Sequence, residues 1–299
     1  MQHYNMHIGQ QNNQLKWWIT VPSGWGVFVL ALFLATSLGT IVHLKGASEL
    51  MRQCIQASIV SLITVPSLYF LLKHTTSRPF RSIGLSRWRQ SIPKAISGAA
   101  LVIVLSGAGF ILAHLLGWIK ITQFHFSLPL VMALFLNMII AFFYEAFPEE
   151  LTFRGTVYHA LKGQFNKIVA LILQPILFVL APVAVSGLQY LTGQESLPIT
   201  LDYIILLLSF GFILQLLRIV TGSLWTSIAF HVAFLENSRF FVLQRETRFI
   251  TYEEIIPGTG ELFIIFFMTL IVGILILIVA AMVRRNTIRW HRFGGDNHV

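Results

Sequence analysis

The residues with most chemical potential lie in one run, Tyr144-Glu145-Ala146-Phe147-Pro148-Glu149-Glu150-Leu151-Thr152-Phe153-Arg154-Gly155. Glu150 and Arg154 are four apart, which puts them on one helix face and lets them pair. Glu149 points about 100° away from that pair and is left free of the arginine. A paired glutamate that holds geometry, beside an unpaired one in a poorly solvated place, suits general-base chemistry: the free carboxylate takes a proton from water. The same residues also fit a solvated helix start with a surface salt bridge, and spacing alone leaves both readings open. Pro148 has no backbone N–H to donate, so a kink or restart of the helix is expected there.

Two further polar points stand out against apolar surroundings. His231 follows Gly222-Ser223-Leu224-Trp225, and Ser227 and Ser238 share its face in helical register. Such a stripe must face other protein or a water-filled cavity. A lone histidine of this kind is also an ordinary hydrogen-bonded structural residue. Gln189 lies in Ala184-Val185-Ser186-Gly187-Leu188-Gln189-Tyr190. An amide can orient a water or donate to an oxyanion, and it equally serves as glue between helices.

The elements that must position these groups are membrane helices. Of the 299 residues, 56% are hydrophobic and only 11% charged, too few charges to cover a water-facing surface. Stretches of about 20 apolar residues, the length a bilayer core requires, run over Trp25–Leu44, Cys54–Leu72, Ala95–Ile119 and Phe126–Phe147. Four more follow at Ile168–Leu191, Leu201–Val220, Leu224–Leu243 and Leu262–Val283, the seventh interrupted by His231, Glu236 and Arg239. The expected fold is all-α, a polytopic transmembrane bundle of about eight spans forming a single integral membrane domain over residues 1–299.

With the N-terminus inside, fifteen Lys and Arg fall on the inner side, among them Lys73, Arg78, Arg81, Arg284 and Arg285. Six fall outside: Lys45, Arg52, Lys120, Arg239, Arg245 and Arg248. The bias has the sign of the positive-inside rule, so both termini are expected in the cytoplasm. The Gln/Asn-rich N-terminal tail lacks the basic, cleavable pattern of a signal peptide and is read as mature sequence. The connector Lys73–Lys94 reads as a basic cytoplasmic loop with a short interfacial helix. Cys54 is the single cysteine, which excludes an intrachain disulfide. The net charge of +9 sits in connectors and the tail, not on a basic face interleaved with aromatics, so no nucleic-acid partner is expected.

Glu149-Glu150-Leu151-Thr152-Phe153-Arg154-Gly155, followed by Gly222-Ser223-Leu224-Trp225 and His231, resembles the CPBP family. These are intramembrane proteases related to type II CAAX prenyl endopeptidases, and they include bacteriocin self-immunity (Abi) proteins. The resemblance covers residues 126–243. The family pattern is Glu-Glu-x-x-x-Arg, then Phe-x-x-x-His, then His-x-x-x-Asn or a variant. The resemblance implies that Glu149 is the base, Glu150 with Arg154 its support, and His231 the oxyanion donor. Gln189 aligns where the second histidine stands, with Val185 for the phenylalanine, and Leu235 occupies the asparagine position with Asn237 nearby. Glu149, His231 and an uncharged Gln189 make a poor zinc cage, so neither a metal nor another cofactor is expected.

The leading function is therefore an intramembrane peptidase that hydrolyses a membrane-associated peptide or protein with glutamate-activated water. Its partners are the lipid bilayer and that substrate, entering from the inner leaflet of a bacterial plasma membrane. The alternative is a catalytically inactive relative acting in immunity or membrane scaffolding. A transporter would need broken helices and paired repeats. Pro182 and Gly187 interrupt the fifth stretch, but no matching repeat is visible.

Overall fold

The apolar stretches fold into helices because a backbone in hydrocarbon must satisfy every N–H and C=O internally. The computed structural model describes residues 16–293. The N-terminal tail read as mature sequence lies outside the described residues, as do the side chains of Arg285, Arg289 and Arg292. Seven helices among the described residues are long and apolar enough to cross a membrane. They are α1 (Trp17–Leu44), α2 (Glu49–Lys73), α4 (Trp88–Leu115), a composite helix over Leu128–Gln164, α8 (Lys167–Leu191), α9 (Leu201–Thr221) and a last one over Glu261–Arg284. That last one opens as a π-helix, Glu261–Val272, and continues as α11 (Gly273–Phe293). The protein is an all-α polytopic membrane bundle.

The seventh expected stretch forms α10 (Leu224–Asn237), extended by a π-turn at Ser238–Val242. It is less apolar than the others because Glu236, Asn237 and Arg239 occupy its far half. A feature without a helical signature fixes its role. Strand β1 (Ile119–Phe124), after α4, pairs antiparallel with β2 (Ile250–Glu254), after α10, with Ile119 opposite Glu254 and Phe124 opposite Ile250. Two strands of one sheet lie on one face of a bilayer, so an even number of crossings separates them. The composite helix, α8 and α9 supply three, which makes α10 with its π-turn the fourth. At 1.5 Å per residue its 19 residues (Leu224–Val242) span about 28 Å, enough for the hydrocarbon core.

The sequence carries no signature of the sheet, since β1 overlaps the end of an apolar stretch and β2 is a short polar-flanked run. Tyr252 anchors it by donating its hydroxyl to the Val242 carbonyl at 2.6 Å. Burial pushes that phenol up to about 12, so it stays a donor.

On the opposite face, the connector after α2 folds into the short helix α3 (Pro79–Ser82) and then docks under the α9–α10 turn. Arg218 donates to the Ile83 carbonyl at 2.7 Å, Leu224 N to the Gly84 carbonyl at 3.0 Å, and the Trp225 indole to the Ser86 carbonyl at 2.9 Å. Gly84 adopts φ +91°, a conformation that side chains resist, and Gly222 closes α9 at φ +69°. This clamp sets the height at which α10 enters the bundle. Along α10 the nearest neighbour is α4, where a Cβ on Gly98 would fall inside the contact radius of the Thr226 carbonyl oxygen. Backbone contact of this kind replaces the hydrophobic effect as the packing force between helices in lipid.

Candidate active site

The glutamate run lies inside the composite helix, not at the inner end of a span that stops at Phe147. Pro148 does not break the helix. It is flanked by π-turns at Phe142–Ala146 and Leu151–Val157, around a single α-turn, α6 (Phe147–Glu150), with α5 (Leu128–Ala141) before and α7 (Tyr158–Gln164) after. A proline lacks the N–H and crowds the carbonyl four residues back, and a wider turn accommodates both. Thr152 and Thr156 hydroxyls donate to the Pro148 and Leu151 carbonyls at 2.8 and 3.0 Å, capping acceptors within the distorted region. The outcome is a continuous helix that displays Glu149 and Glu150 in its middle.

Glu150 and Arg154 are both fully buried and pair at 3.0 Å, Arg154 Nη1 donating to Glu150 Oε1. The surface salt-bridge reading is thereby excluded. The guanidinium lies 4.3 Å from the centre of the Phe178 ring on α8, and its Nη2 reaches the Gly211 carbonyl of α9 at 3.5 Å. Phe178 also meets Phe153 edge-on. The arginine therefore joins three helices around one charge, in the cation–π geometry that guanidinium favours.

His231 arrives from 81 residues further along the chain. Its Nδ1 is 3.2 Å from Glu150 Oε1, and its Nε2 is 4.0 Å from Glu149 Oε2. Phe210 of α9 packs edge-on against the imidazole at a centroid distance of 4.7 Å, which fixes the ring plane. The side chain of His231 is 2% exposed and that of Glu149 17%, so Glu149 is the member of the group that reaches an accessible space. Glu150 Oε1 already accepts from Arg154, and a carboxylate oxygen facing an imidazole nitrogen accepts from it too, so the N–H is assigned to Nδ1. Nε2 is then directed at Glu149. At 4.0 Å the two are too far for a direct hydrogen bond but close enough to share one water.

The stripe that accompanies His231 does not contribute. Ser227 and Ser238 donate to the Leu224 and Phe234 carbonyls of their own helix. Nor does Gln189 join the site: its amide donates to Thr36 of α1 at 3.1 Å, at the far end of α8. The α8 aromatic that touches Phe153 and Arg154 is Phe178. Four residues after Phe178, one turn further along α8, stands Pro182. Asn237 is likewise elsewhere, its Oδ1 accepting from Ser106 of α4 at 2.8 Å.

A polar cavity of about 950 Å³ approaches from the sheet face. Asn137, Tyr144 and Glu145 of the composite helix line it, with Gln189, Arg52 and Arg239. Arg239 donates to Glu145 at 2.6 Å and to Asn137 at 3.1 Å. Glu145 precedes Glu149 by one turn, while Glu149, Glu150, Arg154 and His231 themselves are not among the residues that line this cavity.

The donor set does not fit a catalytic metal. Glu150 Oε1 is committed to Arg154 and His231, a fixed guanidinium charge stands beside it, and Pro182 occupies the position four after Phe178. No group of three or more His, Cys, Asp or Glu among the described residues converges as a cation site.

Fold and site define a multi-pass membrane protein with a buried carboxylate–imidazole centre. Residues 130–234, about a third of the 299, match the family described as Rce1-like, type II CAAX prenyl endopeptidase. Over that segment the chain is similar to that family, and the segment holds both the glutamate run and His231. No curated protein and no solved structure matches the chain.

Proposed function

We propose that the protein is an intramembrane peptidase in which Glu149 is the general base and His231 the oxyanion donor. The observation that supports this best is the meeting of Glu149, Glu150, Arg154 and His231, drawn from two helices 81 residues apart. A water held between Glu149 Oε2 and His231 Nε2 gives its proton to Glu149 as its oxygen attacks a peptide carbonyl. The step uses the doubly protonated form of His231, in which Nδ1–H donates to Glu150 and Nε2–H donates to the developing oxyanion. Glu149 then returns the proton to the leaving amine. Arg154 acts by holding Glu150 and does not touch substrate. The substrate is a membrane-associated peptide that reaches Glu149 through the polar cavity on the sheet face. With both termini cytoplasmic, as the charge bias indicates, that cavity opens to the outside of a plasma membrane.

The test uses wild type, Glu149→Gln and His231→Ala reconstituted in liposomes with the membrane-peptide pool of the host, read as new peptide termini by mass spectrometry. Cleavage by wild type and loss in both variants is expected. Absence of cleavage by folded wild-type protein overturns the peptidase reading.

A second reading, a non-catalytic relative that binds membrane peptides, is favoured by one observation, Pro182 at the position four after Phe178. It expects partner capture unaffected by Glu149→Gln.

A further inference from the structure

Away from the glutamate–histidine centre, α10 forms the back wall of a second cavity of about 800 Å³, open between α4 and α5. Its walls are almost wholly apolar, with Ile103 and Gly107 of α4, Met138 of α5, and Ala229 and Val232 of α10. From Trp225 to Glu236 the α10 wall runs about 16 Å along the membrane normal. Ile121, Phe124 and Ile250 from the two-stranded sheet close its upper end.

At that closed end sits Glu236, 5% exposed, with neither carboxylate oxygen in a hydrogen bond. Arg239, one turn further on, is committed to Glu145 and Asn137. Asn237 beside it receives the Ser106 hydroxyl and keeps its own Nδ2 unpartnered. A carboxylate without a donor in a hydrocarbon-lined groove is costly, and its presence points to a group that supplies the donor.

We propose that this groove binds a single-chain amphiphile ending in a protonated amine, with the ammonium on Glu236 and the chain lying along α10 toward Trp225. Charge complementarity selects the head, and the uniformly apolar wall selects the tail. A peptide is the poorer occupant, because each backbone amide needs a partner and the wall offers polar groups only at one end. The Trp225 indole, at the other end, is already spent on the Ser86 carbonyl. The site is separate from the proposed catalytic centre. His231 contacts Phe210 of α9 and the glutamates, whereas Glu236 lines the groove, so the inference stands whether or not the protein cleaves peptides.

The experiment uses full-length protein in phosphatidylcholine nanodiscs and dodecylamine carrying a diazirine on its terminal carbon. Photolabelled residues are mapped by mass spectrometry. Labelling of α4, α5 and α10 groove residues is expected, displaced by unlabelled dodecylamine and not by dodecanol or dodecanoate. Glu236→Gln should weaken labelling about tenfold or more, the scale of a lost charge-assisted contact. Gly107→Leu, where nothing lies within 4 Å of an added Cβ, should fill the groove and abolish labelling without disturbing packing. Equal displacement by dodecanol in wild type overturns the proposal, as does full labelling of folded Glu236→Gln. Displacement by a hydrophobic lysine-bearing peptide but not by dodecylamine also overturns it, in favour of a peptide site.

Discussion

His231 Nδ1 lies 3.2 Å from Glu150 Oε1, closer than its Nε2 lies to Glu149. The histidine is thus tied to the glutamate that supports the site and only directed at the one proposed to react. Glu150 has two tasks at once, holding Arg154 and setting the histidine tautomer, and a change there disturbs both.

Removing one partner of the Glu150–Arg154 pair leaves a bare charge with no exposed surface. Arg154→Ala or Arg154→Met is expected to destabilise the protein by about 3–5 kcal/mol. Arg154→Lys recovers little, because an ammonium cannot both pair with Glu150 and keep the guanidinium's contact with the Phe178 ring. Thermal unfolding in detergent, followed by helical signal, checks the order wild type, then lysine, then alanine.

The contact between Gly98 and the Thr226 backbone sets how closely α4 and α10 approach. Gly98→Val should force the helices apart and cost about 1–3 kcal/mol by overpacking, whereas Gly26→Val, where nothing lies within 4 Å of an added Cβ, should leave the unfolding temperature nearly unchanged. A comparable shift from both variants removes the argument for backbone contact.

The β1–β2 pairing makes a prediction about sidedness. In a Cys54→Ser background, single cysteines at Gln123 and Glu253 should react with an impermeant maleimide from one side of sealed vesicles. A cysteine at His74 should react from the other. Opposite accessibility of positions 123 and 253 would mean that α10 does not cross.

If hydrolysis is the function, the position after Phe178 limits it. Pro182→His should restore a second imidazole one turn above the Arg154–Phe178 contact and raise cleavage about tenfold or more, the usual scale of an added acid–base group. No gain, in protein whose stability is unchanged, would show that position 182 is outside the chemistry.

Much of the bundle was legible because the bilayer imposes a length on every apolar run, and the Glu150–Arg154 pairing followed from helical periodicity alone. Gln189 and Asn237 were misplaced for a different reason. Polar side chains in apolar stretches signal a need for partners, but not which partners, and Thr36 and Ser106 satisfy them far from Glu149. The β1–β2 sheet was hidden because its strands lie more than a hundred residues apart and each is too short to carry a pattern. The π-turns around Pro148 were equally invisible, since the sequence marks where a helix is stressed but not whether it breaks or widens.

The Glu150–Arg154 pair has a consequence for how the chain reaches the membrane. Both charges belong to one helical turn, so they neutralise each other as soon as that turn forms, before α8, α9 or α10 has been synthesised. The segment can enter lipid as an overall dipole, not as two separate ions. The later helices then bring Phe178, the Gly211 carbonyl and His231 to a centre whose electrostatic cost has already been met locally. Assembly of the site is thereby ordered in time, with the fourth crossing as the template and the histidine arriving last.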